Sequence, residues 1–525
     1  MMLSKENILR LRDSNKYCSF KICFLMLFLF SLGNNTFSQD YKEFETGFVT
    51  IFNQGFNLDS YYFGNNPAYL NFSLDDEFLS LKNVTKNSEG EFKKFYTPRT
   101  DQTFGFFASG KKSIDSIQKF KGSFGFSKLV RKNWDWFFTR DYDTDNPFLI
   151  GDSTSCNSRI NGILINAQYA ITISEKLSAG VNLDYIVDEG LKTVSPRPTS
   201  EHRDIHGKLG MGYSINKELS LGFTLDVTDK NEQISYREDE GSLTQETIIL
   251  KFKGYDFPNV LRKKVETRYS YINGYASGIT FAYNNSDDFK LAGFINSGFE
   301  KNNIKDDALD PKGVGFWKDD YLEVGLKSSK QFSKNIITGL SYRYLKRNGW
   351  AKYPPTDVLY YERNLYSHSL IAGYEQIINR DISAGLEAGI SVFSKKEDDH
   401  YSVVNSSIQF NQYFGKIGIN YHWSEDVSSL LSYAVSARAN HKYELNYNEK
   451  GSIYFVNARI YDLIYLETAF LQHSFSLTSE VNIWNSDMVL FHLNYSTINP
   501  FSSDAFKNTR RSEFDFIIEY RVKVI

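Results

Sequence analysis

Leu177-Ser-Ala-Gly-Val-Asn-Leu-Asp-Tyr185 and Leu219-Ser-Leu-Gly-Phe-Thr-Leu-Asp-Val227 decide the fold. In the first stretch Leu177, Ala179, Val181, Leu183 and Tyr185 alternate with Ser178, Gly180, Asn182 and Asp184. In the second, Leu219, Leu221, Phe223, Leu225 and Val227 alternate with Ser220, Gly222, Thr224 and Asp226. Successive side chains of a strand point to opposite faces, so each stretch is apolar on one side and small or polar on the other. The pattern returns at 382–390, where Ile382, Ala384, Leu386, Ala388 and Ile390 oppose Ser383, Gly385, Glu387 and Gly389. A soluble sheet needs such a segment once or twice. Repeated about eighteen times, it predicts an all-β, transmembrane, antiparallel up-and-down β-barrel with a lipid-facing exterior and a wet interior. The segments fall near 76–86, 101–111, 118–131, 161–173, 176–187, 203–215, 218–230, 274–285, 287–299, 320–331, 334–347, 364–378, 381–394, 406–422, 427–440, 466–483, 486–498 and 512–524.

Connections between these segments sort by length. Short ones lie at 174–176, 216–217, 285–287, 333–334, 379–380, 424–426 and 485–486. Long ones lie at 132–160, 188–202, 231–273, 300–319, 348–363, 441–465 and 499–511. Barrels of this class have tight periplasmic turns and longer external loops, so the alternation predicts both termini in the periplasm and an even strand count. In the last segment Phe514, Phe516, Ile518, Tyr520, Val522 and Val524 share one face. Asp515, Glu519, Arg521 and Lys523 share the other, which keeps the cations out of lipid, where one at the midplane would cost ~2–4 kcal/mol.

The chain has 525 residues, only 10 Pro and no Ser- or Gly-rich spacer, so one large barrel fits better than several domains. A net charge of −3 leaves no basic field to recruit nucleic acid. The 43 Phe and 35 Tyr suit a barrel that needs aromatic girdles at both membrane interfaces. Lys5, Arg10, Arg12, Lys16 and Lys21 precede the apolar run 22–32, and Thr36-Phe-Ser38 is a small-x-small site. Residues 1–38 therefore read as a signal peptide. Its apolar run is about half the ~20 residues of a spanning helix. Cleavage leaves Cys156, placed in a loop, as the sole cysteine, so no internal disulfide is expected.

Little catalytic chemistry is legible. No Gly-x-Ser-x-Gly or His-Glu-x-x-His occurs, and the reading is not an enzyme. His202 and His206 would stand ~13 Å apart on a strand and read as solvated rim residues. Asp141-Tyr-Asp-Thr-Asp145 opens like a calcium loop, but Asn146 stands where Gly is needed and Asp152 where Glu is needed. A solvated acidic loop is the expectation, with no metal and no cofactor.

Thr36-Phe-Ser-Gln39, the stretch Tyr62-Phe-Gly-Asn-Asn-Pro-Ala-Tyr-Leu70 and the amphipathic end together resemble outer-membrane barrels of Bacteroidota. Asn66-Pro67-Ala68 is similar to a segment of fatty-acid-transporter-like barrels and of the related type IX secretion barrels, where it enters the barrel. The resemblance implies a plug in 39–75, centred on Asn65, Asn66, Pro67 and Ala68, before a barrel over 76–525. Those families typically carry fourteen strands, so the expected count spans roughly 14–18. The segment 39–75 is too short for the folded plug of TonB-dependent importers.

The expected function is an outer-membrane channel or transporter for small or amphipathic solutes, its lumen narrowed by the N-terminal segment. Asp184, Thr224 and Glu387 would line the lumen, while Leu183, Phe223 and Leu386 would meet lipid. Mid-strand inner residues such as Ser178, Gly180, Ser220, Gly222, Ser383 and Gly385 are small and uncharged, which suits neutral or amphipathic cargo. The loop 231–273 could fold inward, turning Tyr255, Phe257 and Pro258 to the lumen. The alternative is a structural or secretion-partner barrel that docks another protein through the external loops 231–273 and 441–465. Outer-membrane lipid and the barrel-assembly machinery are partners under either reading.

Overall fold

A computed structural model describes residues 65–71, 77–141, 145–194, 197–237, 248–254, 259–262, 265–285, 289–307, 310–353, 357–447, 460–483 and 487–524. The strands are β1 (Phe78–Gly90), β2 (Thr100–Ser113), β3 (Gln118–Phe137), β4 (Ile150–Ser174), β5 (Leu177–Lys192), β6 (Thr199–Ser214) and β7 (Leu219–Arg237). A short hairpin follows, β8 (Ile248–Lys251) and β9 (Asn259–Arg262). Then come β10 (Val265–Asn285), β11 (Phe289–Asp306), β12 (Lys312–Ser333), β13 (Ile336–Tyr353), β14 (Val358–Ile377) and β15 (Ile382–Asp399). The last are β16 (Val404–Ser424), β17 (Val427–Asn446), β18 (Phe470–Asn482), β19 (Met488–Pro500) and β20 (Arg511–Lys523). One helix, α1 (Ile460–Glu467), lies between β17 and β18.

Without the short hairpin these form a closed antiparallel barrel of 18 strands. β7 pairs directly with β10 across the inserted hairpin, and β1 pairs with β20 to close the wall. Each segment expected from alternation contains a strand, although 466–467 of the segment 466–483 belong to α1 and β18 begins only at Phe470, and the tight turns between strands gather at the end where β1 begins and β20 finishes. This end is called the terminal end below, and the opposite one the distal end.

The strands overrun their expected distal limits. β4 begins at Ile150 instead of 161, and β10 at Val265 instead of 274. The expected long connections 300–319 and 348–363 shrink to 307–311 and 354–357. Cys156 stands buried within β4, not in a loop. The cause is physical: apolar alternation marks the height of the hydrocarbon, whereas strand pairing continues beyond it with polar side chains on both faces.

Leu183, Phe223 and Leu386 lie exposed on the outer face, Phe223 at 44%. Their neighbours Thr224 and Glu387 are 0% and 1% exposed on the inner face, and Asp184 is half-buried there. Phe223→Arg is expected to cost ~2–4 kcal/mol and lower the fraction of assembled barrel, because it puts a charge against hydrocarbon. The heat-modifiable mobility of the folded form measures this; an assembled fraction equal to that of Phe223→Leu would contradict the facing.

Candidate functional site

The barrel interior is occupied at three levels. At the lowest, Asn65 adopts a left-handed φ of 54°, which Asn tolerates, and turns the chain into a 3-10 turn over Pro67–Asn71. Pro67 suits the first position of this turn because its ring fixes φ. Asn66 Oδ1 accepts the Ala68 N–H at 3.0 Å, while its Nδ2 donates to the Met211 carbonyl at 3.0 Å. Gln168 Nε2 donates to the Pro67 carbonyl (3.2 Å), and Ser178 Oγ to that of Ala68 (3.2 Å). Thr280 Oγ1 donates to the Tyr69 hydroxyl at 3.1 Å, and Asn71 Nδ2 to Thr172 Oγ1 at 3.1 Å. Asn66, Pro67, Ala68, Tyr69 and Leu70 are all buried, and Asn65 is exposed.

Three wall glycines make room for this turn. A Cβ on Gly180 would stand 2.5 Å from the Pro67 carbonyl carbon, and one on Gly210 2.2 Å from Asn66 Oδ1. On Gly222 it would lie 2.3 Å from Asn66 Nδ2. Small inner-face residues on β5, β6 and β7 therefore serve close approach of another backbone. They do not mark an uncharged lumen, which corrects that expectation.

Higher on the same wall the interior is charged. His206 lies between two carboxylates, with Nδ1 3.4 Å from Asp184 Oδ2 and Nε2 3.2 Å from Asp226 Oδ1. Lys208 Nζ is 3.1 Å from the same Asp226 oxygen. His206, Lys208 and Asp226 line a cavity of about 200 Å³ together with Asn296, Glu300, Tyr321 and Glu323. Farther round, Glu387 stands directly opposite Lys416 in the β15–β16 register. His202 is buried, 3.3 Å from Asp188, whereas His206 is half-buried. The two histidines share the inner face because they are four residues apart on a strand, and neither is a solvated rim residue.

At the distal level, connections fold inward. The two described ends of the β3–β4 connection are held against opposite walls. At its start Arg140 Nε donates to Asp188 on β5 (2.5 Å), and its N–H donates to Glu232 on β7 (2.7 Å). At its far end Asp145 takes Arg363 of β14 and Lys395 of β15, both at 2.7 Å. Arg363 also holds Asp319 of β12 at 2.6 Å. Burial alone would raise the Asp145 carboxyl, but Lys395 and Arg363 outweigh it and hold it well below the usual carboxylate range. Phe148 then packs among Ile304, Trp317 and Tyr361.

The β7–β10 connection runs beside it. β8 pairs with β4, the Phe252 N–H donates to the Leu149 carbonyl at 2.9 Å, and Tyr360 on β14 donates to the Lys253 carbonyl at 2.9 Å. Tyr255, Phe257 and Pro258 lie outside the described residues, as does 39–75 apart from 65–71. Trp134, Phe137, Phe138, Tyr236 and Phe252 form an apolar cluster under these connections. Helix α1 adds to this level through Asp462, which accepts the Phe95 N–H at 2.6 Å.

Among the described residues, the carboxylates of 141–152 are engaged by cationic side chains. Asp145 spends its two oxygens on Lys395 and Arg363, and both Asp152 oxygens face Lys192 at 2.7 Å. Asp141 pairs with Arg140 at 3.0 Å, and Asp143 lies outside the described residues. Sequence reading missed Arg140, Arg363 and Lys395. The signal was there in Trp134-Asp-Trp-Phe-Phe138, an aromatic run too apolar for a solvated loop.

Solved structures with a similar fold include the ferric yersiniabactin uptake receptor FyuA from Yersinia pestis, at 8% identity and a TM-score of 0.42, covering 86% of this chain and 80% of that one. The Pseudomonas putida toluene transporter TodX is similar at 11% identity and a TM-score of 0.31, covering 88% and 92%. The siderophore receptor PiuA from Acinetobacter baumannii is similar at 8% and 0.39, covering 85% and 82%. No curated protein sequence matches the chain. Residues 67–520 match the family of unknown function DUF6850, and the chain belongs to that family.

Proposed function

We propose that the protein is an outer-membrane channel or transporter for small polar solutes, obstructed at both ends around a charged chamber. In this reading the mature chain begins near Gln39, the terminal end faces the periplasm, and residues 65–71 belong to a plug that enters from that side. One strand carries the proposal. Along the inner face of β7, Gly222 receives Asn66, Asp226 lines the chamber with His206 and Lys208, and Glu232 takes Arg140. At ~3.3 Å per residue these three levels span about 33 Å along the strand, or roughly 25 Å of height at a tilt of about 40°, the height of a barrel's apolar band. The lumen is charged at mid-height, which favours small polar cargo over the amphipathic cargo that small inner residues suggested. Such side chains keep their hydration when water fills the chamber, whereas an apolar solute would have to strip it from them.

Gly210→Val tests the reading. Its added atoms meet Asn66 and Pro67, and overpacking of ~1–3 kcal/mol would shift the plug's balance toward the displaced state by about 5–150-fold. Made in a barrel whose residues 139–148 are replaced by a short Gly/Ser turn, so that the distal level no longer limits flow, the substitution is expected to speed swelling of proteoliposomes in a small neutral sugar relative to that parent. A variant that folds normally and swells no faster than that parent would reject the plug.

A further inference from the structure

The outer wall carries a second feature, on β11–β13 just beyond the apolar belt. From the terminal end, the outward residues of β13 run Leu340, Tyr342, Tyr344, Lys346, Asn348, Trp350 and Lys352. Those of β12 pass from Val324 and Leu322 to Asp320, Lys318 and Phe316. Lysines here stand over aromatic rings. Lys301 Nζ is 4.5 Å from the Phe316 centroid, Lys318 Nζ 4.8 Å from that of Phe299, and Lys346 Nζ 5.6 Å from that of Tyr366. Lys352 and Lys305 repeat this over Trp350 and Tyr271.

Charge balance makes the patch unusual. The register sets Lys301 directly opposite Lys318, and like charges facing each other across a sheet repel. Asp320 answers Lys318 at 2.8 Å. Lys301, Lys305 and Lys346 form no ion pair among the described residues. At the same height β6 and β7 differ: there the outward Arg203 is matched by Asp229 at 2.7 Å. An excess of cations set among rings, at the level where lipid headgroups begin, calls for an anion from the membrane.

We propose that the outer face of β11–β13 docks the phosphorylated headgroup of a lipid in the leaflet at the distal end. A phosphate bridges Lys301 and Lys318, and Lys346 takes a second one. The aromatic rings pack against the uncharged part of the headgroup. This proposal rests on the outer-membrane reading.

The test uses the full mature barrel and two probes, a bisphosphorylated acylated disaccharide lipid and its dephosphorylated form. Native mass spectrometry compares the unmodified barrel with the triple variant Lys301→Gln, Lys318→Gln, Lys346→Gln. Lys330→Gln, at the terminal end, serves as control. The unmodified barrel and the control are expected to retain the phosphorylated lipid about tenfold or more over the triple variant, and neither to retain the dephosphorylated form. Lys301→Gln alone breaks no ion pair and should show a smaller loss of the same kind if the triple variant fails to fold. Equal retention by the unmodified barrel and a folded variant overturns the proposal. So does full displacement of the lipid by inorganic phosphate at matched concentration, which marks a free-phosphate site. Flotation with neutral phosphatidylcholine vesicles separates the two readings. A barrel that inserts there without preferring the phosphorylated lipid sinks only the docking site, and one that inserts in no vesicle sinks both.

Discussion

A barrel lacking residues 43–70 and carrying a short Gly/Ser turn in place of 139–148 is expected to conduct as a wide, steady pore. Either change alone should conduct far less. An 18-strand wall encloses a water-filled channel unless something fills it. Deleting 43–70 removes Asn66 to Leu70 from the glycine cradle but leaves the distal level in place. Replacing 139–148 removes Arg140, Asp145 and Phe148, which anchor one connection on opposite walls. It also removes the Pro147 carbonyl that accepts the Gly254 N–H, loosening the connection beside it. The double variant should therefore show roughly tenfold or greater single-channel conductance over either single one, as expected when two barriers in series are both removed. Equal conductance in the double and the plug-only variants would place the whole barrier at the terminal end.

Arg363→Met should be the most destabilising single substitution among the distal ion pairs, at about 3–5 kcal/mol. Arg363 is 2% exposed and bridges Asp145 and Asp319, so its loss leaves each carboxylate with one cation, Lys395 and Arg347 respectively, beside a buried apolar side chain. Asp145→Asn should cost less, because Arg363 keeps Asp319 and Lys395 keeps Glu397 at 3.1 Å. The pH dependence carries the sign. The Asp145 carboxyl is held below its unfolded value, so its contribution is fully present above about pH 4 and is lost as pH falls through the lowered folded value. Denaturation midpoints of the unmodified barrel and Asp145→Asn should thus differ at pH 7 and converge only in strong acid. A difference that vanishes between pH 7 and 5 would assign the effect to another group.

Much of the wall was legible because lipid imposes a strict two-residue period. Leu219–Val227 and Phe514–Val524 could be read directly, since every second side chain meets one solvent and the rest another. The interior was harder, because what fills a lumen is set by residues far apart in sequence. Asn66 meets Met211, and Asp145 meets Arg363 and Lys395. No local period joins such pairs. Gly180, Gly210 and Gly222 show the difficulty well. Their small size was visible, but its purpose depended on the turn at 66–69 that crosses them. His206 was misread for the same reason, because its carboxylate partners come from β5 and β7 on either side of its own strand.

The proposed function requires a barrel closed at both ends. Single-channel recording of the unmodified mature protein in a planar bilayer tests it most directly. Silence or small, brief steps are expected if the turn at 66–71 and the inward-held ends of the β3–β4 connection, 140–141 and 145–148, act as the proposed obstructions. A large, steady conductance of the size an unobstructed 18-strand barrel would give, seen without any substitution, would contradict the account.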